Sequence, residues 1–153
     1  MIQLQRTNSN DKNFITLTNC LDKDLEMIYG DTQWQYDQYN IITNLTTVVI
    51  ACENNTAIGC GCFKPIDANT VELKRMYVAP GLRGKGIGAM ILKALEQWAT
   101  ELGFYNMVLE TGILQPEAIQ LYIKQGFIII PNYGQYKGNS LSVCMQKILV
   151  DSR

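Results

Sequence analysis

The sequence predicts an α/β domain built on a mixed sheet, and three observations carry that prediction. "TTVVIACE" and "TAIGCGCFKPI" are two β-branched and apolar runs joined by Asn54-Asn55, the pattern of a hairpin over 46–66. Ile91, Leu92, Leu95, Trp98, Ala99 and Leu102 then recur at helical spacing, with Gly103 placed as a C-terminal cap. Beyond them come a short strand-like run, a second helical run opened by Pro116, and two further apolar runs. Strands, helix, strand, helix, strands is the order of an α/β fold in which not every strand is parallel.

Taken in order, "FITLTNC" (14–20) reads as a first strand by its β-branched content. "LDKDLEMIYGD" follows as a helix, with Leu21, Leu25 and Ile28 at helical spacing and Gly30 as its stop. Residues 32–46 are polar and aromatic with weak periodicity. After the hairpin, "TVELKRMYV" (70–78) is a strand whose apolar parity changes midway: Val71 and Leu73 share one face, Met76 and Val78 the other. Either a bulge or burial on both faces produces that pattern. "NMVLET" (106–111) is the strand between the two helices, and Gly126 closes "PEAIQLYIKQ". "FIII" (127–130) and "LSVCMQKIL" (141–149) are the last strands, joined by the tyrosine-rich "PNYGQYKGNS".

Composition narrows the chemistry. The 153 residues, without repeats or linker-like stretches, suit a single domain over 1–153. Thirteen basic and fourteen acidic residues give a formal charge of −1, with no broad basic surface for nucleic acid or anionic lipid. No residue is histidine, so acid–base chemistry falls to carboxylates, tyrosine, lysine or cysteine. The five cysteines sit mostly in strand-like stretches, and Cys60-Gly-Cys62 lacks zinc spacing; buried free thiols and no metal are expected. "MIQLQRTNSNDKNF" is not a secretory signal, and no apolar run approaches the ~20 residues that cross a bilayer, which points to the cytoplasm and to no membrane partner.

The most informative stretch is "VAPGLRGKGIGAMILKAL" (78–95), where Gly81, Gly84, Gly86 and Gly88 stand at the mouth of a helix. A helix N-terminus offers orphan amides and the positive end of the helix dipole to an anion. Glycines let the backbone curl tightly against it, and Arg83 and Lys85 add charge. A flexible basic turn is the bland alternative. A P-loop is excluded because Ile87, not lysine, follows Gly86. A dinucleotide fingerprint is disfavoured because Glu110 is displaced from the acidic position and the strands before the loop form a hairpin.

"RMYVAPGLRGKGIGAMIL" resembles the coenzyme signature of the GNAT acetyltransferase superfamily, Arg/Gln-x-x-Gly-x-Gly/Ala, here Arg83, Gly86 and Gly88. "PEAIQLYIKQGF" resembles the second signature, Ala-x-x-Leu-Tyr followed by Gly-Phe. The order and separation of the two blocks fit the family from about residue 14 to 149. The resemblance implies the GNAT fold, with a mixed, mostly antiparallel sheet and flanking helices. It implies N-acetyl transfer from acetyl-coenzyme A (acetyl-CoA), the co-substrate, to a primary amine, directly and through a tetrahedral intermediate.

By the same resemblance Met76, Tyr77 and Val78 present backbone groups to the pantetheine arm, an amide near Val78 serving the thioester carbonyl. Arg83, Gly84, Lys85, Gly86, Ile87 and Gly88, with Ala89 next, hold the pyrophosphate. Without histidine, Glu72 is the candidate base and Glu110 its rival; a surface glutamate beside Lys74 is the alternative for Glu72. Tyr122 falls on the signature tyrosine, the general acid towards the coenzyme sulfur. Gln115 stands where many relatives carry asparagine contacting the coenzyme arm.

By the same resemblance the first helix, 32–45 and 132–140 would line the acceptor groove. Trp34, Tyr36, Tyr39, Tyr133 and Tyr136 could frame a small amine or a peptide end, and Glu26, Asp31 and Asp37 could attract a cation. Pairing of family members through the C-terminal part of the sheet makes a homodimer an expectation. Two alternatives remain: a non-catalytic acyl-CoA sensor or regulatory protein, which would not need Glu72 or Tyr122, and an enzyme of the same fold with another donor or acceptor.

Overall fold

The computed structural model describes residues 1–30 and 44–149. Its strands are β1 (Ile2–Thr7), β2 (Val48–Glu53), β3 (Thr56–Pro65), β4 (Thr70–Val78), β5 (Asn106–Gly112), β6 (Ile128–Ile130) and β7 (Ser142–Ile148), in the sheet order β1-β2-β3-β4-β5-β7-β6. The helices are α1 (Lys12–Tyr29), α2 (Ile87–Glu101) and α3 (Pro116–Lys124), with a 3₁₀ turn at Gly134–Tyr136. β1–β2, β2–β3, β5–β7 and β6–β7 pair antiparallel; β4 and β5 run parallel. The mixed, mostly antiparallel sheet with helices is the expected class. The chain divides into two compact units: Met1–Lys64 with Lys74–Leu95, and Pro65–Leu73 with Glu96–Arg153.

In the first unit, α1 begins at Asp11, whose side chain accepts from the Asn13 amide at 2.8 Å. It buries Phe14 and Leu17 with Val48, Ile50, Cys60, Cys62 and Tyr77, and Leu21 packs against the cluster. The strand expected at Phe14–Cys20 is therefore the first half of a helix. Phe14, Leu17 and Leu21, spaced by three and four, take the core face, and that burial outweighs the strand preference of Ile15, Thr16 and Thr18. The strand absent from the sequence-based expectation is β1, where Ile2 and Leu4 alternate weakly among polar residues.

The hairpin turn at Asn54-Asn55 is as expected, with φ of 52° and 65°. Cys60 and Cys62 point one way from β3, towards the α1 cluster; Gly59 and Gly61 point the other, where Ile91 and Leu95 of α2 come close enough to meet any added Cβ. In β4 the parity change has a backbone cause. Arg75 takes φ 60° in mid-strand, breaking the two-residue alternation, and residues 71–75 are also all buried. Burial on both faces, one of the two features proposed from the pattern, is present, and the positive φ at Arg75 interrupts the strand. Arg75 is tied to α1, its Nη2 donating to Thr18 O at 2.9 Å and to Asp22 Oδ1 at 2.8 Å.

The second unit contains the β4–β5–β7–β6 ladder and α3. Thr70, Val71 and Glu72 pair with Asn106, Met107 and Val108; β5 then pairs with β7 along its full length. Pro116 opens α3 as expected, and Tyr122 packs edge-on against Phe127, ring centroids 5.8 Å apart. Gly126 turns the chain at φ 98°. In α2, Ala99 is buried but Leu102, assigned to its apolar stripe, is half exposed, lying past the last helical residue, Glu101.

Candidate active site

One candidate group of residues, within the first unit, is the glycine loop. Gly81, Gly84 and Gly86 take φ of 87°, 80° and 85°, values that only glycine adopts without strain. A Cβ at any of the three would meet nothing within 4 Å, so what glycine supplies here is conformation and an uncovered backbone. Gly88 lies inside α2, without a left-handed φ. The loop delivers the chain into α2 at Ile87, where first-turn amides lack intrahelical acceptors. An open, left-handed loop running into a helix N-terminus fits a pyrophosphate.

Lys85 is exposed. Arg83 is occupied within the unit. Its Nε donates to Val78 O at 2.7 Å, its Nη2 to Asp24 Oδ2 at 3.0 Å, and its guanidinium lies 5.4 Å from the Tyr77 ring centroid. Thus Tyr77, Val78 and Arg83 come together, joined by Asp24, which sequence reasoning did not select. Asp24 is one of several acids on α1, and nothing in its spacing separates it from Glu26 or Asp22.

A separate candidate group, within the second unit, is a carboxylate–tyrosine cluster. Glu72 is 2% exposed, so it is no surface residue, and its Oε2 accepts from the Tyr133 hydroxyl at 2.5 Å. Because Glu72 pairs with Val108, and Glu110 lies two residues farther along β5, both carboxylates project from one sheet face; Cys144 opposite Glu110 shares it. Glu110 Oε2 accepts from Ser142 Oγ at 2.7 Å. Burial, then the Glu72 charge and hydrogen bond, push the Tyr133 phenol far above its usual range. Burial, then Glu72 and Glu110, raise Tyr136, whose ring stands edge-on to Tyr133 at 5.6 Å.

Tyr122 is buried near the end of α3, and burial followed by the Glu110 charge holds its phenol protonated well above the usual range. Gln115 stands at the N-cap position of the same helix without a side-chain capping bond, its Oε1 instead accepting from the Gly112 amide at 3.3 Å. Met76 is half-buried in β4. Cys60 is pushed up to about 12, mainly by burial, and its Sγ–H and that of Cys62 donate to the Arg75 and Lys74 carbonyls, an arrangement suited to structure and not to nucleophilic attack. Trp34, Tyr36, Tyr39, Asp31 and Asp37 lie outside the described residues.

Comparisons with known proteins bear on the family and the fold. The model of the acetyltransferase (GNAT) family matches residues 14–127. An IAA acetyltransferase from Azospirillum brasilense is 37% identical over 102 residues, 66% of this chain and 67% of the relative. Of other curated relatives the chain spans half the length or less, from 47% of one from Schizosaccharomyces pombe to 28% of one from Mus musculus. A protein of Klebsiella pneumoniae subsp. pneumoniae assigned as an acyl-CoA N-acyltransferase is 30% identical, with a TM-score of 0.81 over 98% of this chain and 99% of its own. An aminoglycoside 6'-N-acetyltransferase solved with coenzyme A shares the fold at 16% identity, with a TM-score of 0.71 over 99% of each chain. With both signatures on the elements that the resemblance requires and the family match spanning the glycine loop and α3, the chain belongs to the acetyltransferase (GNAT) family.

Proposed function

We propose that this protein is an N-acetyltransferase that takes acetyl-CoA as co-substrate and a primary amine as acceptor, acting as one domain in a reducing cytoplasm. The observation that carries the reading is the run of left-handed glycines at 81, 84 and 86, open to their surroundings and leading into the N-terminus of α2. Acetyl-CoA would supply the acetyl group as an activated thioester. The amides of residues 83–88, with Ala89, would hold its pyrophosphate, and Lys85 would add a mobile charge. Backbone groups of Met76, Tyr77 and Val78 would align the pantetheine arm, with Gln115 a further polar contact. The Val78 amide would donate to the oxygen on which charge develops; such donors contribute on the order of 3 kcal/mol in comparable sites.

An alkyl ammonium near ~10 must lose a proton before it attacks. Glu72 is the base we assign, because its carboxylate is buried and held by the neutral Tyr133 phenol. Glu110, on the same face, would favour a cation nearby. Tyr122 is assigned to the leaving sulfur. A phenol pushed above its usual ~10 is a weaker acid than a thiol near ~8.5, so Tyr122 Oη would chiefly donate a hydrogen bond that stabilises the thiolate, with solvent completing protonation.

The test is thiol release from acetyl-CoA across a panel of primary amines, each compared with the same amine and the Glu72→Gln protein. Amine-dependent release reduced about 10²-fold or more by Glu72→Gln supports the assignment. Release that is undiminished in Glu72→Gln would remove Glu72 as the base.

A further inference from the structure

The peptide that joins Val78 to Ala79 is held at both of its polar atoms. Its N–H, on Ala79, donates to Ile58 O of β3 at 2.8 Å. Its carbonyl, on Val78, accepts from Arg83 Nε at 2.7 Å. This is the point where β4 ends and the glycine loop begins. The loop then brings residue 83 back beside residue 78, which left-handed Gly81 makes possible.

The guanidinium is itself anchored. Asp24 on α1 accepts from Nη2 at 3.0 Å, and the Tyr77 ring lies under the guanidinium carbon at 5.4 Å. An exposed Arg–Asp pair adds little stability on its own, and with Arg83 46% exposed this pair is no exception. Its effect is directional: a planar fork held by a carboxylate on one side and a ring below points its Nε–H at the Val78 carbonyl. A peptide bonded at N–H and C=O resists rotation about its flanking dihedrals, and the strand end keeps its line into the loop.

We infer that the Arg83 side chain is a positioning group for the end of β4, anchored by Asp24, and not a ligand of the pyrophosphate. The inference rests on the acyl-CoA reading only in supposing that Val78 lies beside the reacting carbonyl; the clamp itself is a property of the free protein. It separates the two contributions of residue 83 to the motif: the backbone amide faces the anion, and the side chain fixes the strand.

Two variants and two readouts test it. Amide hydrogen exchange at Ala79 is followed by NMR in wild type, Arg83→Ala and Asp24→Asn, and coenzyme A is titrated into the same three proteins. The clamp predicts that both substitutions speed Ala79 exchange, Arg83→Ala by about tenfold or more, because local opening costs less once the carbonyl is released. It also predicts that Asp24→Asn, which keeps the arginine charge, does not tighten coenzyme A binding. Unchanged exchange in both variants would overturn the inference. So would tighter binding in Asp24→Asn, the sign of an arginine freed to reach phosphate. Failure of the wild type to bind coenzyme A would count against the acyl-CoA reading alone, since the exchange measurement needs no ligand.

Discussion

The Tyr133 hydroxyl donates a 2.5 Å hydrogen bond to Glu72 Oε2, joining residues 61 positions apart in sequence. The bond ties the loop after β6 to the last β4 residue paired with β5. Glu72 is almost wholly buried, so the phenol satisfies a charge-bearing group that water reaches poorly. Tyr133→Phe keeps the ring and its edge-on contact with Tyr136 while deleting that donor. The expected loss of stability is about 1–3 kcal/mol by chemical denaturation. In a Glu72→Gln background the same substitution should cost less, and the difference in a double-mutant cycle is the measure of the pair.

Alkaline pH should act through the same cluster. Tyr122, Tyr133 and Tyr136 are all raised above the usual phenol value, by burial first and by Glu110 or Glu72 next. A group whose folded value is raised keeps its stabilising contribution below its unfolded value, ~10, and loses it as pH climbs from there towards the folded value. The denaturation midpoint should therefore hold steady up to about pH 9.5 and fall above about pH 10, with phenolate absorbance from these three tyrosines appearing only on unfolding. Tyr133→Phe should make that fall shallower.

Gly59 faces α2 from β3, and a Cβ there would stand 2.9 Å from the Tyr77 carbonyl oxygen and 2.9 Å from Ile91 Cδ1. The first obstacle is backbone in the strand that carries Val78, so it cannot rotate away as a side chain can. Gly59→Ala should destabilise the protein by about 1–3 kcal/mol, read as a lower denaturation midpoint. An unchanged midpoint would mean that β3 and β4 separate more easily than their packing implies.

Local chemistry was legible in the sequence wherever one segment sufficed to determine it. Asn54-Asn55 between two β-branched runs announced the hairpin, and both asparagines take the left-handed conformation that such turns need. The parity break in "TVELKRMYV" pointed to the irregularity now seen at Arg75. Phe14–Cys20 was illegible for the opposite reason: its β-branched residues favour a strand, and only the core that receives Phe14 and Leu17 makes it a helix. β1 was silent because an edge strand with few buried residues carries little pattern.

The site divides along the same line. The glycine loop is contiguous and was readable as a motif, although of its four glycines Gly88 takes no positive φ. Tyr133 was placed beside the acceptor only as a member of an aromatic loop; its bond to Glu72 depends on how β4, β5, β7 and the loop before β7 are arranged. Asp24 meets Arg83 across 59 residues, and no spacing rule reports that.

The central claim is that the glycine loop grips the pyrophosphate of acetyl-CoA, and calorimetric titration of acetyl-CoA into wild type and Gly86→Glu tests it most directly. Gly86 takes φ 85° in open space, so glutamate there brings backbone strain and a negative charge to the proposed anion site without a steric clash in the free protein. The account predicts micromolar binding to wild type, on the order of −8 kcal/mol, and weakening of at least about a hundredfold in Gly86→Glu, with a matching circular-dichroism spectrum showing that the fold is kept. Equal affinity in the two proteins, or no binding to wild type, would contradict it.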